Sequence, residues 1–271
     1  MMRSVCFFLV GFILSLWTTE VVAEAENRIR AKNEKELAYL KKHPAVQQML
    51  KDLPANYQIE PKIHYTWSDD ERRPLPRLIA LVPLNPNGKP DGAAHYFGGE
   101  ERVVPFKNGQ KEGTEKSFSL VKQERRLVSE TPWKSGKIHG MKKVYHPSNR
   151  KLYMEVPYEK GQRQGMEKTY DLPGRLIKTT PYKDNKNHGK VVEYYAGTKQ
   201  AKKVIPFRSG KVHGVVREYY EDGKLKRELP AQDDRFHGIE KAFDEKGQPT
   251  RIRYWLDDEI VTKEEYIRQT N

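Results

Sequence analysis

From Ala80 onward the chain says one thing several times. TPWKSGKIHGMKKVY, VPYEKGQRQGMEKTY, TPYKDNKNHGKVVEY, IPFRSGKVHGVVREY and LPAQDDRFHGIEKAF begin at Thr131, Val156, Thr180, Ile205 and Leu229. A glycine anchors each copy, at Gly92, Gly113, Gly140, Gly165, Gly189, Gly214 and Gly238. These anchors stand roughly 21 to 27 residues apart, and a recurring period of that size means a linear array of supersecondary units. In such an array each unit buries its apolar face only against its neighbours.

Two turn signals divide each unit. The first lies just before the anchor: Asn87-Gly88, Asn108-Gly109, Ser135-Gly136, Lys160-Gly161, Asp184-Asn185, Ser209-Gly210 and Asp233-Asp234. Such residues tolerate the positive φ of tight hairpin turns. The second is looser, at Gly98-Gly99, Ser148-Asn149, Pro173-Gly174, Gly197, Asp222-Gly223 and Lys246-Gly247. Short strands punctuated about every 12 residues predict an all-β meander of stacked hairpins.

Three columns run through the units. The fifth residue after the anchor is Phe97, Phe118, Tyr145, Tyr170, Tyr194, Tyr219 and Phe243. A second aromatic column stands seven residues before it: Phe106, Trp133, Tyr158, Tyr182, Phe207 and, in the last unit, Trp255. Stacked rings are therefore expected to form the core, with one ring over each anchor glycine. Ahead of that column comes a proline each time, at Pro105, Pro132, Pro157, Pro181, Pro206 and Pro230. A residue without an N–H predicts a bulge or a break in strand pairing there.

The ends differ from the array. Arg3 precedes an apolar stretch from Val5 to Trp17, closed by Val21, Val22 and Ala23. That is the layout of an export signal over residues 1–23, with cleavage expected after Ala23 and a periplasmic or secreted product. Glu20 leaves the stretch short of a membrane-spanning helix, so no transmembrane segment is expected after cleavage. Cys6, the single cysteine, lies within the signal, which excludes disulfides and thiolate chemistry from the mature chain. Residues 24–60 read as a helical linker and cap: 24–43 a solvated segment, then a helix from Pro44 to Leu53 covering the open edge of the first strands. Residues 61–82 read as a degenerate first hairpin joined by SDDERRP, and 83–271 as the repeats. Thr262 replaces the last anchor, and with Glu265 it forms a capping box that starts a short helix through Arg268.

The formal net charge of the chain is +13, and Arg3 and Glu20 cancel on removal of the signal. A surplus that large attracts acidic surfaces without specifying a fold. Two basic columns are the candidate partner-binding residues. Lys134, Lys137, Lys183, Lys186, Arg208, Lys211 and Arg235 flank the first turns and predict a positive edge. Lys143, Lys168 and Arg217 lie three residues after the anchor, where their stems are expected to cover the rings.

His139, His188, His213 and His237 each precede an anchor. Equivalent positions in neighbouring hairpins lie about 10 Å apart, too far to share one ion, so a structural polar role is expected. The pairs Asp69-Asp70, Asp233-Asp234 and Asp257-Asp258 read as turn residues. No phosphate loop, hydrolase elbow or zinc helix motif is present, so neither a catalytic site nor a cofactor nor a metal is expected.

PFRSGKVHGVVREYYEDGKLKRELP, from Pro206 to Pro230, resembles the variant MORN repeat of bacterial proteins, and the resemblance extends over roughly residues 80 to 270. It implies an elongated, twisted antiparallel sheet of stacked β-hairpins. For function it implies a scaffold, a lipid-associated module or an antitoxin-like protein. The proline in the first strand and the N-terminal helices depart from the motif. Together these features predict an exported, non-enzymatic scaffold that binds another protein, acidic in the simplest case, in an immunity-like or antitoxin-like role. The alternative is a module for anionic lipid headgroups or envelope polysaccharide; an exported chain makes nucleic acid a poor partner.

Overall fold

The computed structural model describes residues 27–32, 34–66, 75–97 and 100–270. The export signal, SDDERRP with Asp69-Asp70, and the turn Gly98-Gly99 lie outside the described residues. The chain divides into two units, Met1–Ser119 and Leu120–Asn271. Each contains antiparallel hairpins stacked in sequence order, as the repeat spacing predicts.

In the first unit, helices α1 (Glu34–Lys42) and α2 (Pro44–Asp52) precede the paired strands Gln58–Thr66 and Leu75–Leu84. Pro44 occupies the first turn of α2, where a missing N–H costs nothing, and His43 Nδ1 accepts from the Ala45 N–H at 3.3 Å. Val46 and Met49 pack with Ile29 and Leu40 against Ile59, Leu78 and Leu81. The helix thus covers the side-chain face of the first strands. Their open edge is met differently: Arg30 N–H donates to Ile59 O at 3.0 Å, beside a parallel bridge between Ile29 and Ile59.

The expectation of a solvated segment before α2 therefore fails. Arg28, Ile29, Glu36 and Leu40 are buried. Arg28 donates to the carbonyls of Leu50, Leu53, Pro54 and Tyr57 at 2.9–3.1 Å, groups at or just past the helix end that lack intrahelical donors. Glu36 Oε2 accepts from the Lys32 N–H at 2.6 Å. Satisfied polar groups of this kind are buried without leaving a hydrophobic pattern.

In the second unit the hairpins from Glu124 to Phe243 follow one plan. Glu124–Lys134 turns at Ser135 and Gly136, with φ of 50° and 76°, and returns as Lys137–Ile138 and Gly140–Tyr145. The return strand is interrupted at His139, facing Pro132. There His139 N–H donates to Pro132 O at 3.0 Å, and Gln164, His188, His213 and His237 repeat the bond to Pro157, Pro181, Pro206 and Pro230. Of the predicted bulge or break, the bulge is present opposite each of these prolines: the register shifts by two residues between Trp133–Ile138 and Ser129–Val144.

The anchor glycine follows the bulge. Gly140 has φ of 111°, and a Cβ built on it would meet Pro132 Cγ at 3.3 Å. What crowds each anchor is thus the proline ring of its own hairpin. The expected aromatic ring belongs instead to the next hairpin and stands across the ladder, Tyr158 opposite Gly140, Tyr182 opposite Gly165 and Phe207 opposite Gly189.

Strand register also corrects the ring core. Gly140, Lys142 and Val144 share a face with Tyr158, Val156 and Met154, because alternate residues point to one side. The buried stripe runs two residues past the anchors on this face, through Val156, Thr180, Val191, Val216 and Leu229 to Glu240. Both aromatic columns are half-buried and flank this stripe or lie on the opposite face. Rings too wide to vanish between neighbours about 5 Å apart leave full burial to aliphatic side chains.

At the C-terminal end the capping box forms as predicted. Thr262 N–H donates to Glu265 Oε2 at 3.0 Å, Glu265 N–H donates to Thr262 Oγ1 at 3.2 Å, and α3 (Lys263–Thr270) follows. Tyr266 places its ring 5.4 Å from that of Tyr254.

Candidate interaction edge and its charge pattern

All the candidate cations belong to the second unit, and the structure separates them into two populations. Lys143 stands opposite Glu130 on one side and Glu155 on the other, and Lys168 stands opposite Glu155. Arg217 Nε donates to Glu228 Oε1 at 2.8 Å. Cross-strand pairs of opposite sign offset each other locally, so this row contributes little net charge. Tyr145 and Tyr170 lie in the same region and donate to Glu130 and Glu155 at 2.7 and 2.9 Å. Burial, and then those carboxylates, push both phenols up to about 12. They act as fixed donors.

The turn row is different. Lys134, Lys137, Lys183, Lys186, Lys211 and Arg235 are exposed, and none forms an ion pair among the described residues. Arg208 is the exception, with Asp233 Oδ1 at 3.7 Å and His213 Nδ1 at 3.2 Å. Part of the row also has a packing role. The stem of Lys186 lies 3.6–3.8 Å from where Gly210 would carry a Cβ, and Lys137 reaches Gly161 in the same way at 4.0 Å. The lysine after one turn covers the bare glycine of the next while its ammonium stays in water.

The positive edge also ends sooner than the sequence suggests. Beyond Lys211 the turns carry Asp233 and Asp234, then Asp257, Asp258 and Glu259, so Arg235 sits among acids. Asp234 Oδ1 accepts from Val212 N–H and Asp258 Oδ1 from Phe236 N–H, both at 2.7 Å. These carboxylates tie each turn to the hairpin before it, which is their structural work.

The residues preceding the anchors do the same from the other side. His139 Nδ1 accepts from Lys160 N–H at 3.4 Å, and Gln164 Oε1 from Asp184 N–H at 2.9 Å. His213 and His237 place Nδ1 3.4 and 3.5 Å from Asp233 and Asp257. Each contact reaches the first residue of the following turn. Among the described residues no cluster of three metal-ligating side chains occurs.

The position two residues past the anchor, which sequence reasoning passed over, holds Glu115, Glu167 and Glu240 beside Val191 and Val216. Glu240 is 0 % exposed and accepts from Arg227, Arg251 and Trp255 at 2.8–3.0 Å. Burial by itself would raise its pKa; the bonds from Trp255 and Arg251 and the charges of both arginines outweigh that and hold the carboxyl below its ordinary value. Glu167 holds the equivalent position two hairpins of the array earlier than Val216, and there burial prevails over Arg163 and Lys178, raising its pKa.

Comparison with known proteins adds a repeat family. Among solved structures, a mutant of S. aureus TarM in complex with fondaparinux, alpha-GlcNAc-glycerol and UDP is 13 % identical, with 63 % of this chain and 27 % of that chain covered and a TM-score of 0.20. A second TarM structure is 14 % identical over 62 % of this chain and 27 % of that one, at a TM-score of 0.19. The chain thus spans about a quarter of the length of either. No curated protein matches it. One stretch of the array does have a recognised counterpart: residues 212–233 match the family model of the MORN repeat variant.

Proposed function

We propose that this protein is an exported, non-enzymatic repeat scaffold whose basic turn edge binds an acidic protein. The observation that carries the reading is the division of cations. Those on the sheet face are matched by glutamates, whereas Lys134, Lys137, Lys183, Lys186 and Lys211 stand exposed and unpaired at three of four consecutive turns, the turn at Lys160-Gly161 being flanked by Glu159 and Gln162. Unpaired charges on neighbouring turns add their fields and steer an acidic partner. An immunity-like or antitoxin-like role is one form such binding takes.

Retention on immobilised poly-L-glutamate at low and high salt tests the edge, with Lys134, Lys137, Lys183 and Lys186 all changed to Glu as the comparison. Salt-sensitive retention lost in that variant is expected. Equal retention of both proteins would remove the edge from consideration. Sedimentation with phosphatidylglycerol vesicles separates the alternative, since pelleting in preference to poly-L-glutamate binding would assign the edge to lipid headgroups.

A further inference from the structure

Among the described pairings, the aromatic column that faces the anchor glycines has one gap. Phe106, Tyr158, Tyr182, Phe207 and Trp255 stand opposite Gly92, Gly140, Gly165, Gly189 and Gly238. Opposite Gly214 stands Ala231. Two adjacent positions in one row therefore carry almost no side chain. On its other side Ala231 faces Phe236, whose ring forms one wall of this place and packs edge-on against Trp255 with centroids 5.4 Å apart.

A cavity of about 400 Å³ opens at this place. Its floor is Ile205, Val216, Leu229 and Ala231, continuous with the buried stripe. Its rim is ionic: Lys203 Nζ lies 3.1 Å from Glu218 Oε1, and Arg227 lies 4.0 Å from the same oxygen. Asp234 closes the side nearest the turns. An apolar floor under a few converging polar groups is the usual build of a recognition pocket. The volume is within the ordinary range for such sites, roughly 300 to 1,000 Å³.

We propose that this pocket receives an aromatic side chain from a partner polypeptide. The repeat itself states the chemistry of the occupant, because the sister hairpins fill the same register position with a Phe, Tyr or Trp side chain. The rim supplies the rest. Lys203 and Arg227 present donors and Glu218 and Asp234 acceptors, a mixture that complements the carbonyls and N–H groups on either side of a peptide's aromatic residue. A buried ring within an interface is also where binding energy concentrates. This site lies on the sheet face and is independent of the lysines of the turn edge.

The test uses the full mature chain and N-acetyl-tryptophanamide, a single aromatic side chain flanked by two amides. Saturable methyl shifts at Ile205, Val216 and Leu229 in NMR titration are expected. Ala231→Phe supplies the missing ring from within, so it should weaken binding by at least about tenfold and raise the melting temperature. Ala231→Val, which removes less volume, should fall between. Circular dichroism of each variant distinguishes a filled pocket from a misfolded chain. Absence of binding to the wild type, or equal binding by folded Ala231→Phe and Ala231→Val, would overturn the proposal. Indole binding as tightly as the amide would assign the pocket to free aromatic molecules and overturn the polypeptide occupant.

Discussion

Gly214 and Pro206 occupy each other's space: at φ of 116° a Cβ on Gly214 would lie 3.1 Å from Pro206 Cγ. The proline interrupts the ladder and the glycine passes beneath its ring. Neither column is explained without the other, which is why they recur together.

Gly214→Ala should therefore cost stability twice, through a backbone conformation that side chains rarely adopt and through contact with a rigid ring. A loss of roughly 1–3 kcal/mol is expected in thermal or denaturant unfolding. Gly136→Ala is the control, because no atom lies within 4 Å of its missing Cβ and its φ is 76°. Its loss should be smaller. Equal losses would show that the proline contact contributes nothing.

Glu240 and Glu167 should respond oppositely to neutralisation. Glu240→Gln removes a buried charge on which Arg227 and Arg251 converge, and about 3 kcal/mol of destabilisation is expected at neutral pH. Because its carboxyl titrates lower folded than unfolded, its contribution is complete above the unfolded pKa and is lost as pH falls through the folded one. The variant should lack that acid-side decline. Glu167 titrates higher folded than unfolded, so its charge weakens the fold once pH exceeds the unfolded value. Glu167→Gln should be neutral or stabilising at pH 7, read by chemical denaturation across pH.

Charge location predicts which lysines matter for polyanion binding. Lys168→Ala and Arg217→Ala should leave poly-L-glutamate retention nearly unchanged, since both stand opposite glutamates. Lys183→Ala with Lys186→Ala should shift elution to lower salt. A larger effect from the face pair would transfer the binding surface from the edge to the sheet.

The C-terminal helix should depend on its cap. Thr262→Ala removes the side chain that accepts from Glu265 N–H, a loss of about 1 kcal/mol. Hydrogen exchange over residues 263–270 should accelerate, with the strands Pro249–Leu256 and Glu259–Val261 less affected. Protection unchanged in the variant would mean that the Tyr266 ring on Tyr254 holds the helix alone.

How much of this was legible in the sequence follows from what each signal encodes. Turn pairs, the bulge at each proline and the capping box are local, so residue type and spacing sufficed to place them. Alternation assigned residues to faces but not which face would be covered, and the buried stripe proved to run through Val191, Val216 and Leu229, with the rings beside it. Arg28 and Glu36 are buried because specific partners satisfy them, which no periodicity announces. The cavity had a visible signal in Ala231, the one interruption between Phe207 and Trp255, but its meaning required knowing that the column faces the anchors.

The contacts that join turns reach both ways along the array. Gln164 reaches forward to Asp184, and Asn185, Asp234 and Asp258 reach back to Arg163, Val212 and Phe236, so the same two kinds of handhold recur from junction to junction. A segment copied in tandem would meet both of its neighbours with surfaces already matched, and such a chain can lengthen by duplication without inventing a new interface. Growth stops where Thr262 stands in place of a glycine and a helix begins, since the next handhold is no longer offered.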